Sequence, residues 1–464
     1  MKNNIFNFLY KTVMLLAFVS FISCEDFLDV DHPIDQISDE LVFENEGTAT
    51  AAVTSLYADL RDNTQLANNS IGIGIAMGLY ADEFDYYGIP GMPLDNFYNH
   101  LVLPSNTQVS SYWNSTYKLI YNCNLSIKKL NNSTSLDNEL VNQLKGEAIF
   151  IRSLAHFYLL QIFGKIPYIE TTDYQINQTV QRIEEQIVYE YLIDDLKEAK
   201  LLISENYLSG ERTRANKYVI SSLLSRIYLY SGDYVNAETE SSSVIDNSVN
   251  YSLEEDLNEE FRQSSRSAIL QLKPANEGQN SYEGSYFLFQ AGPPLNVALR
   301  ESFLLTFETN DLRRQHWVKE VTDGTNTWYA PNKYKLQEPT PVSEEYSIVL
   351  RLAEQYLIRA EARAHLGLLS GSLSDINTLR SRAGLNNLPA TSQSDLLMHI
   401  LLERKHELFS EYGHRWFDLK RFSLADEVLA PIKINWKPTH ILLPIPESEL
   451  LKNPNLSPQN PGYN

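Results

Sequence analysis

At 464 residues the chain can bury a large core, and its 43% hydrophobic content is ordinary for a globular protein. Fifty-nine acidic against 38 basic residues give a formal charge of −21, which argues against nucleic acid, whose phosphates need a basic footprint, and against anionic lipid headgroups. Twenty-eight tyrosines against five tryptophans decide nothing alone, because Tyr packs helices as readily as it stacks on a ligand.

Lys2 and Lys11 precede the apolar run Val13–Ile22, which is too short to span a bilayer and has the length of a secretory h-region. Ser23 then Cys24 follow, so residues 1–23 read as a lipoprotein signal peptide and Cys24 as the acylated first residue, although Phe21 stands where this signal most often has Leu. Acylation of Cys24 leaves Cys123, inside an apolar run, without an intramolecular partner, so stability must come from the core.

A first helix is expected from Gly47 to Leu60, where small and apolar residues recur at helical spacing. Gly72, Gly74 and Gly78 fit neither a dinucleotide fingerprint nor a phosphate loop, and no nucleotide cofactor is expected. Asp82 to Asn106 reads as a Gly-, Pro- and Asn-rich loop whose aromatic residues have no obvious core to enter. Helical period returns at Trp113–Leu125, Leu140–Ile162 and Ile187–Ile203. Tyr228, Gly232, Tyr234 and Ala237 have tetratricopeptide spacing, in which a small residue lets two helices cross closely and aromatic rings fill the neighbouring groove. A weaker echo runs from Leu357 through Ala360, Ala362 and Gly367 to Ile376.

From about 251 to 345 the helical period disappears; a strand is expected at Ala268–Leu272, and Pro293, Pro294, Pro331, Pro339 and Pro341 punctuate loops. Long aromatic loops between helical blocks are more often functional than idle. The predicted fold is therefore mainly α: a tetratricopeptide-like αα superhelical scaffold with a loop-rich insertion and a few short strands. Its expected divisions are 24–250 and 251–464, the second containing the insertion and closing helices.

The most informative stretch is Glu403–Arg421. Leu396, Ile400 and Leu408 write an apolar helical stripe interrupted by Arg404, and a guanidinium on a core-facing line has to be paired. Glu403, Glu407 and Glu411 share the adjoining faces, Gly413 is expected to stop the helix, and Arg415 and Asp418 supply another pair of opposite charges. Each carboxylate has a cation within four positions, which holds it ionised; this predicts a partly buried structural charge network, not a catalytic acid–base set. The tail from Leu442 to Tyr463 is proline-rich and reads as an extended segment packed back on the fold. The nine scattered histidines and the lack of a cysteine pair or His-Glu-x-x-His motif support no metal site, and no Gly-x-Ser-x-Gly elbow occurs.

Glu403-Arg404, Glu407-Leu408 and Gly413 to Arg421 closely resemble the C-terminal hallmark of the SusD/RagB family of outer-membrane nutrient-binding lipoproteins. Glu25 to Asp29 after Cys24, Gly146 to Pro167, Arg351 to Ile358 and the C-terminal tail resemble the family in the same order. The resemblance implies a lipid-anchored protein of the outer membrane, facing the exterior, that captures an oligomeric nutrient and passes it to a SusC-like TonB-dependent transporter. It implies no catalysis. Such proteins build their ligand site mainly from the loop after the first helix and from the central insertion. Those regions here hold Tyr86, Tyr87, Asn96, Phe97 and Tyr98, then Tyr282, Tyr286, Trp328 and Tyr329, which become the candidate ligand contacts. A glycan is the expected ligand because sugar rings offer C–H faces to aromatic rings. A peptide-capturing lid and a purely protein-binding helical-repeat scaffold are the alternatives, with a glycosidase the weakest.

Overall fold

A computed structural model describes residues 42–66 and 72–463; Cys24 and the signal peptide lie outside the described residues. Several of the long helices begin where a side-chain oxygen takes up free backbone N–H groups. Asn45 caps α1 (Glu46–Asp62) in this way. After it come α2 (Ile73–Tyr80), the short strand β1 (Phe84–Tyr86) and α3 (Pro93–Tyr98). Asn106 and Asp137 cap the two 26-residue helices α4 (Thr107–Asn132) and α5 (Asn138–Phe163). The next helices are α6 (Glu185–Leu202), α7 (Lys217–Ser231) and α8 (Tyr234–Ile245).

The central region carries β2 (Ala268–Leu272), α9 (Tyr282–Phe287), β3 (Val297–Leu299), α10 (Leu312–His316), β4 (Val318–Thr322) and β5 (Thr327–Pro331). The chain then runs through β6 (Ser347–Arg351), α11 (Leu352–His365), α12 (Leu369–Arg382), α13 (Gln393–Glu407) and α14 (His414–Arg421). The tail is extended apart from a helix at Glu447–Lys452 and single 3-10 turns.

Helices stack on their chain neighbours: α5 lies between α4 and α6, α7 packs on α6 and α8, and α11 meets α8, α12 and α13. From Gly146 to Phe163, α5 is buried on every face. Gly146 permits this closeness, since a Cβ there would sit 3.2 Å from the Ala199 carbonyl of α6. The tetratricopeptide spacing appears as the α7–α8 pair, with Gly232 in the turn and Ala237 fully buried. The expected mainly α, repeat-like architecture is thus present, and the strands form three separate antiparallel pairs, β1–β3, β2–β6 and β4–β5. No helix among the described residues is long and apolar enough to cross a membrane.

Three local expectations need correction. Asp82–Asn106, expected as a loop, contains α3, which begins at Pro93, a residue whose missing N–H costs nothing at a helix start. The insertion is also less irregular than its sequence suggests, because short helices such as α9 and α10 occur within it. Finally, α13 stops at Glu407, and Gly413 precedes α14 instead of ending α13.

Candidate functional site

Below the site lies a buried charge network. Arg313 on α10 reaches Glu403 at 2.5 Å, Asp311 at 2.8 Å and Glu407 at 3.2 Å. Arg351, at the end of β6, meets Glu407 at 2.7 Å and Glu411 at 2.8 Å, while Arg382 pairs with Glu407 and Lys333 with Glu411. Burial opposes ionisation of Glu407, but the guanidiniums of Arg382, Arg351 and Arg313 outweigh it and hold the carboxyl well below the usual range. Arg404 donates through Nε to Asp418 at 2.8 Å, a carboxylate that Arg421 also holds at 2.8 Å. Asp82 receives Arg415 at 2.7 Å and Lys405 at 3.1 Å. The network's side chains are buried apart from that of Arg421 at its edge, deeper than the partial burial anticipated, and it draws Lys333, Arg351 and Arg382 from segments far away in sequence.

Through Asp82 the network reaches the aromatic surface. Two residues on, Phe84 opens β1, which pairs with β3 in the register Phe84–Leu299, Asp85–Ala298 and Tyr86–Val297, and β5 lies beside β3. The Tyr98 hydroxyl donates to Asp85 at 3.0 Å, Arg300 approaches Asp85 at 3.5 Å, and the Lys433 ammonium lies 3.9 Å from the centre of the Tyr98 ring. Burial, then Asp85, pushes the Tyr98 phenol up to about 12, so it remains a donor. Tyr86 lies 6.4 Å from Tyr98 between ring centres, and its hydroxyl donates to the Ile89 carbonyl at 3.0 Å. Tyr286 neighbours Tyr86; burial first, and then Tyr86, raises its phenol. Tyr87 is 40% exposed, and the side chains of Ile89, Met92 and Leu295 are open as well.

Of the nine candidates, the structure gathers Tyr86, Tyr87, Tyr98 and Tyr286 around β1. Trp328 lies beneath the surface, its ring so tight on Gly292 that a Cβ there would fall 2.0 Å from it. Tyr329 projects from the other face of β5, under the Arg314 guanidinium at 5.1 Å. Tyr282 lines a separate hollow with Arg61, Asp62 and Gln337. Asn96, two residues before Tyr98, takes the opposite side of α3. Phe97 is a correction: it is 0% exposed and edge-on to Tyr80 and Tyr112, because α3 turns it into the core, so it offers no face to a ligand.

Sequence reasoning missed a cleft of about 890 Å³ between residues 100–105 and the C-terminal segment carrying Trp436, His440 and Tyr463. Its two walls are more than 300 positions apart, and no local motif announces it. Two groups inside the protein also escaped notice: burial, then Asp82, raises Glu83 to about 8, and burial raises Glu283 to about 7. Among the described residues no cluster of His, Cys, Asp or Glu is arranged to hold a metal ion.

Comparison with known proteins places this geometry. The family described as "Starch-binding associating with outer membrane" matches residues 26–229, and the one described as "SusD family" matches residues 308–463. A SusD-like protein P2 from Formosa agariphila is 26% identical over 511 aligned positions, covering 98% of this chain and 99% of its own. A SusD superfamily structure from Bacteroides vulgatus superposes with a TM-score of 0.80 at 20% identity, covering 91% of this chain and all (100%) of its own. A laminarin-binding SusD-like protein gives 0.78 at 22% identity, covering 90% and 100%.

Proposed function

The chain belongs to the SusD/RagB family, and from that footing we propose that it is a glycan-capturing lipoprotein of the outer membrane that hands its ligand to a SusC-like TonB-dependent transporter. In this proposal residues 1–23 are removed, Cys24 carries the acyl anchor, residues 24–250 and 251–464 form the two halves, and the aromatic surface around β1 receives the glycan. The observation that carries it is the braced group of Tyr86, Tyr87, Tyr98 and Tyr286. Asp85, Arg300 and Lys433 fix the Tyr98 ring before any ligand arrives, which lowers the ordering cost of binding. Tyrosine faces suit the C–H faces of pyranose rings, and Asp85 offers further acceptor capacity to sugar hydroxyls.

Capture without turnover is favoured by the state of the nearby carboxylates. Asp85 is engaged by Tyr98 and Arg300, and Asp95 accepts from the Gly91 backbone and the Asn99 amide, both at 2.8 Å. Both carboxylates are thus committed to partners within the protein, which disfavours their use as an acid–base pair. The structural match to a laminarin-binding relative supports the glycan class. The test is calorimetric titration of the mature chain with a panel of polysaccharides and peptides while reducing ends are followed. Polysaccharide binding without new reducing ends, weakened by Tyr87→Ala, is the expected result; peptide binding alone, or steady product release, would overturn the proposal.

A further inference from the structure

The cleft behind α3 is lined by four rings whose polar groups are largely committed to the protein. The Tyr80 hydroxyl donates to the His440 carbonyl at 2.9 Å, and His100 Nε2 lies 2.9 Å from the Tyr80 carbonyl. Trp436 donates to Asp426 at 2.7 Å, and Tyr463 to the Leu442 carbonyl at 2.9 Å. These bonds hold His100, Trp436 and Tyr463 in place, and His440 is held by stacking on His100 and Tyr463. His100 and His440 lie nearly parallel, with 8° between planes, and Trp436 stands at 88° to His100 and 85° to His440.

What remains uncommitted is specific. The Nδ1 atoms of both imidazoles are buried with no hydrogen-bond partner, although buried polar groups are normally paired. A carbonyl only accepts, so His100 must carry its proton on Nε2; burial drives its pKa down to about 3, which keeps the ring neutral and makes Nδ1 a bare acceptor. Around this floor Leu101, Leu103 and Ile434 are exposed, and Lys437 and Glu447 place one charge of each sign at the rim. Apolar ring faces and a rim without net charge match an uncharged, hydroxyl-bearing ring better than an anion or a cation. The volume lies within the roughly 300–1,000 Å³ typical of small-ligand sites.

We propose that this cleft is a second carbohydrate-binding subsite, which holds a neutral pyranose of the captured chain with Trp436 as its platform and Lys437 and Glu447 at the rim as its polar contacts. The inference rests on glycan capture at the β1 surface and extends it around α3. The Asn435 amide donates to the Asn99 carbonyl at 2.9 Å, tying the cleft wall to the helix that presents Tyr98 on its other side. One glycan chain then touches two surfaces held at a fixed separation, and its affinity gains from both.

The test titrates the mature chain with laminarin, xylan and galactomannan, alongside Trp436→Ala, Tyr87→Ala and Ile434→Cys alkylated by a bulky maleimide. Ile434 is 95% exposed, so that substitution leaves the core intact, and native Cys123 is buried, with its thiol raised by burial, and so does not compete for the reagent. Weakening of roughly tenfold or more by both cleft variants is the expected result. If Trp436→Ala fails to fold, the alkylated protein gives the answer alone. Binding that cleft blockage leaves unchanged while Tyr87→Ala weakens it overturns the subsite and spares the proposed function. Weakening by the cleft variants alone supports the subsite and overturns the β1 surface. No binding to any of the three polysaccharides overturns both.

Discussion

The charge network beneath α13 and the aromatic surface around β1 are joined through Asp82, yet they are built by opposite rules. In the network each carboxylate is surrounded: Glu407 alone faces Arg313, Arg351 and Arg382, and none of the four is open to solvent. At the surface the rings are braced from behind, and Tyr87, Ile89, Met92 and Leu295 stay open. The difference separates groups that specify one packed arrangement from groups left available to a partner. Buried ionic pairs resist the loss of one member, whereas exposed aromatics can be truncated without unfolding the chain.

That contrast sets the size of the expected effects. Glu407→Ala leaves three guanidiniums short of a shared partner, and the expected loss is about 3–5 kcal/mol in urea unfolding; a change below about 1 kcal/mol would contradict the network's role. The next effect depends on pH. Glu83 and Glu283 have folded pKa values raised to about 8 and about 7, so their contribution is full below the ordinary carboxylate range near 4.5 and is lost as pH rises through those values. Thermal stability should therefore fall from pH 5 to pH 8 by an amount on the order of a few kcal/mol, and Glu83→Gln should flatten the profile. A profile that Glu83→Gln leaves unchanged would show that the carboxyl is ionised in the fold.

Arg404→Met should matter least. Arg404 spends only Nε on Asp418, its two terminal nitrogens have no hydrogen-bond partner, and Arg421 still holds Asp418 when it is gone. The expected change in melting is equivalent to less than about 1.5 kcal/mol, because an isosteric apolar side chain escapes the desolvation cost of a poorly paired ion. A loss as large as that of Glu407→Ala would place Arg404 among the essential pairs.

The same contrast governs what the sequence makes legible. The helices α4, α5 and α6 follow from apolar periodicity over many turns, and the α7–α8 pair from four residues at fixed offsets. Arg404 within an apolar stripe points to charges inside the protein, but it says nothing of Arg351 or Lys333, which arrive through chain folding over tens of residues. Phe97 shows how local reasoning fails: a loop-like composition hides a helix of six residues that turns one aromatic inward and its neighbour Tyr98 outward. Trp328 is hidden for a related reason, since only the close approach of Gly292 reveals that its face is covered. The cleft at Trp436 depends wholly on contacts distant in sequence: His100 sits in a segment that composition describes only as loop, Tyr463 in the tail, and Trp436 and His440 in a stretch before the tail that no motif marks.

A crystal structure of the mature chain with an oligosaccharide that it binds in solution tests the central claim most directly. Sugar rings lying against Tyr86, Tyr87 or Tyr98, with the charge network unmoved beneath them, are the predicted result. A glycan seated on the stacked helices, with the β1 surface empty, would contradict it.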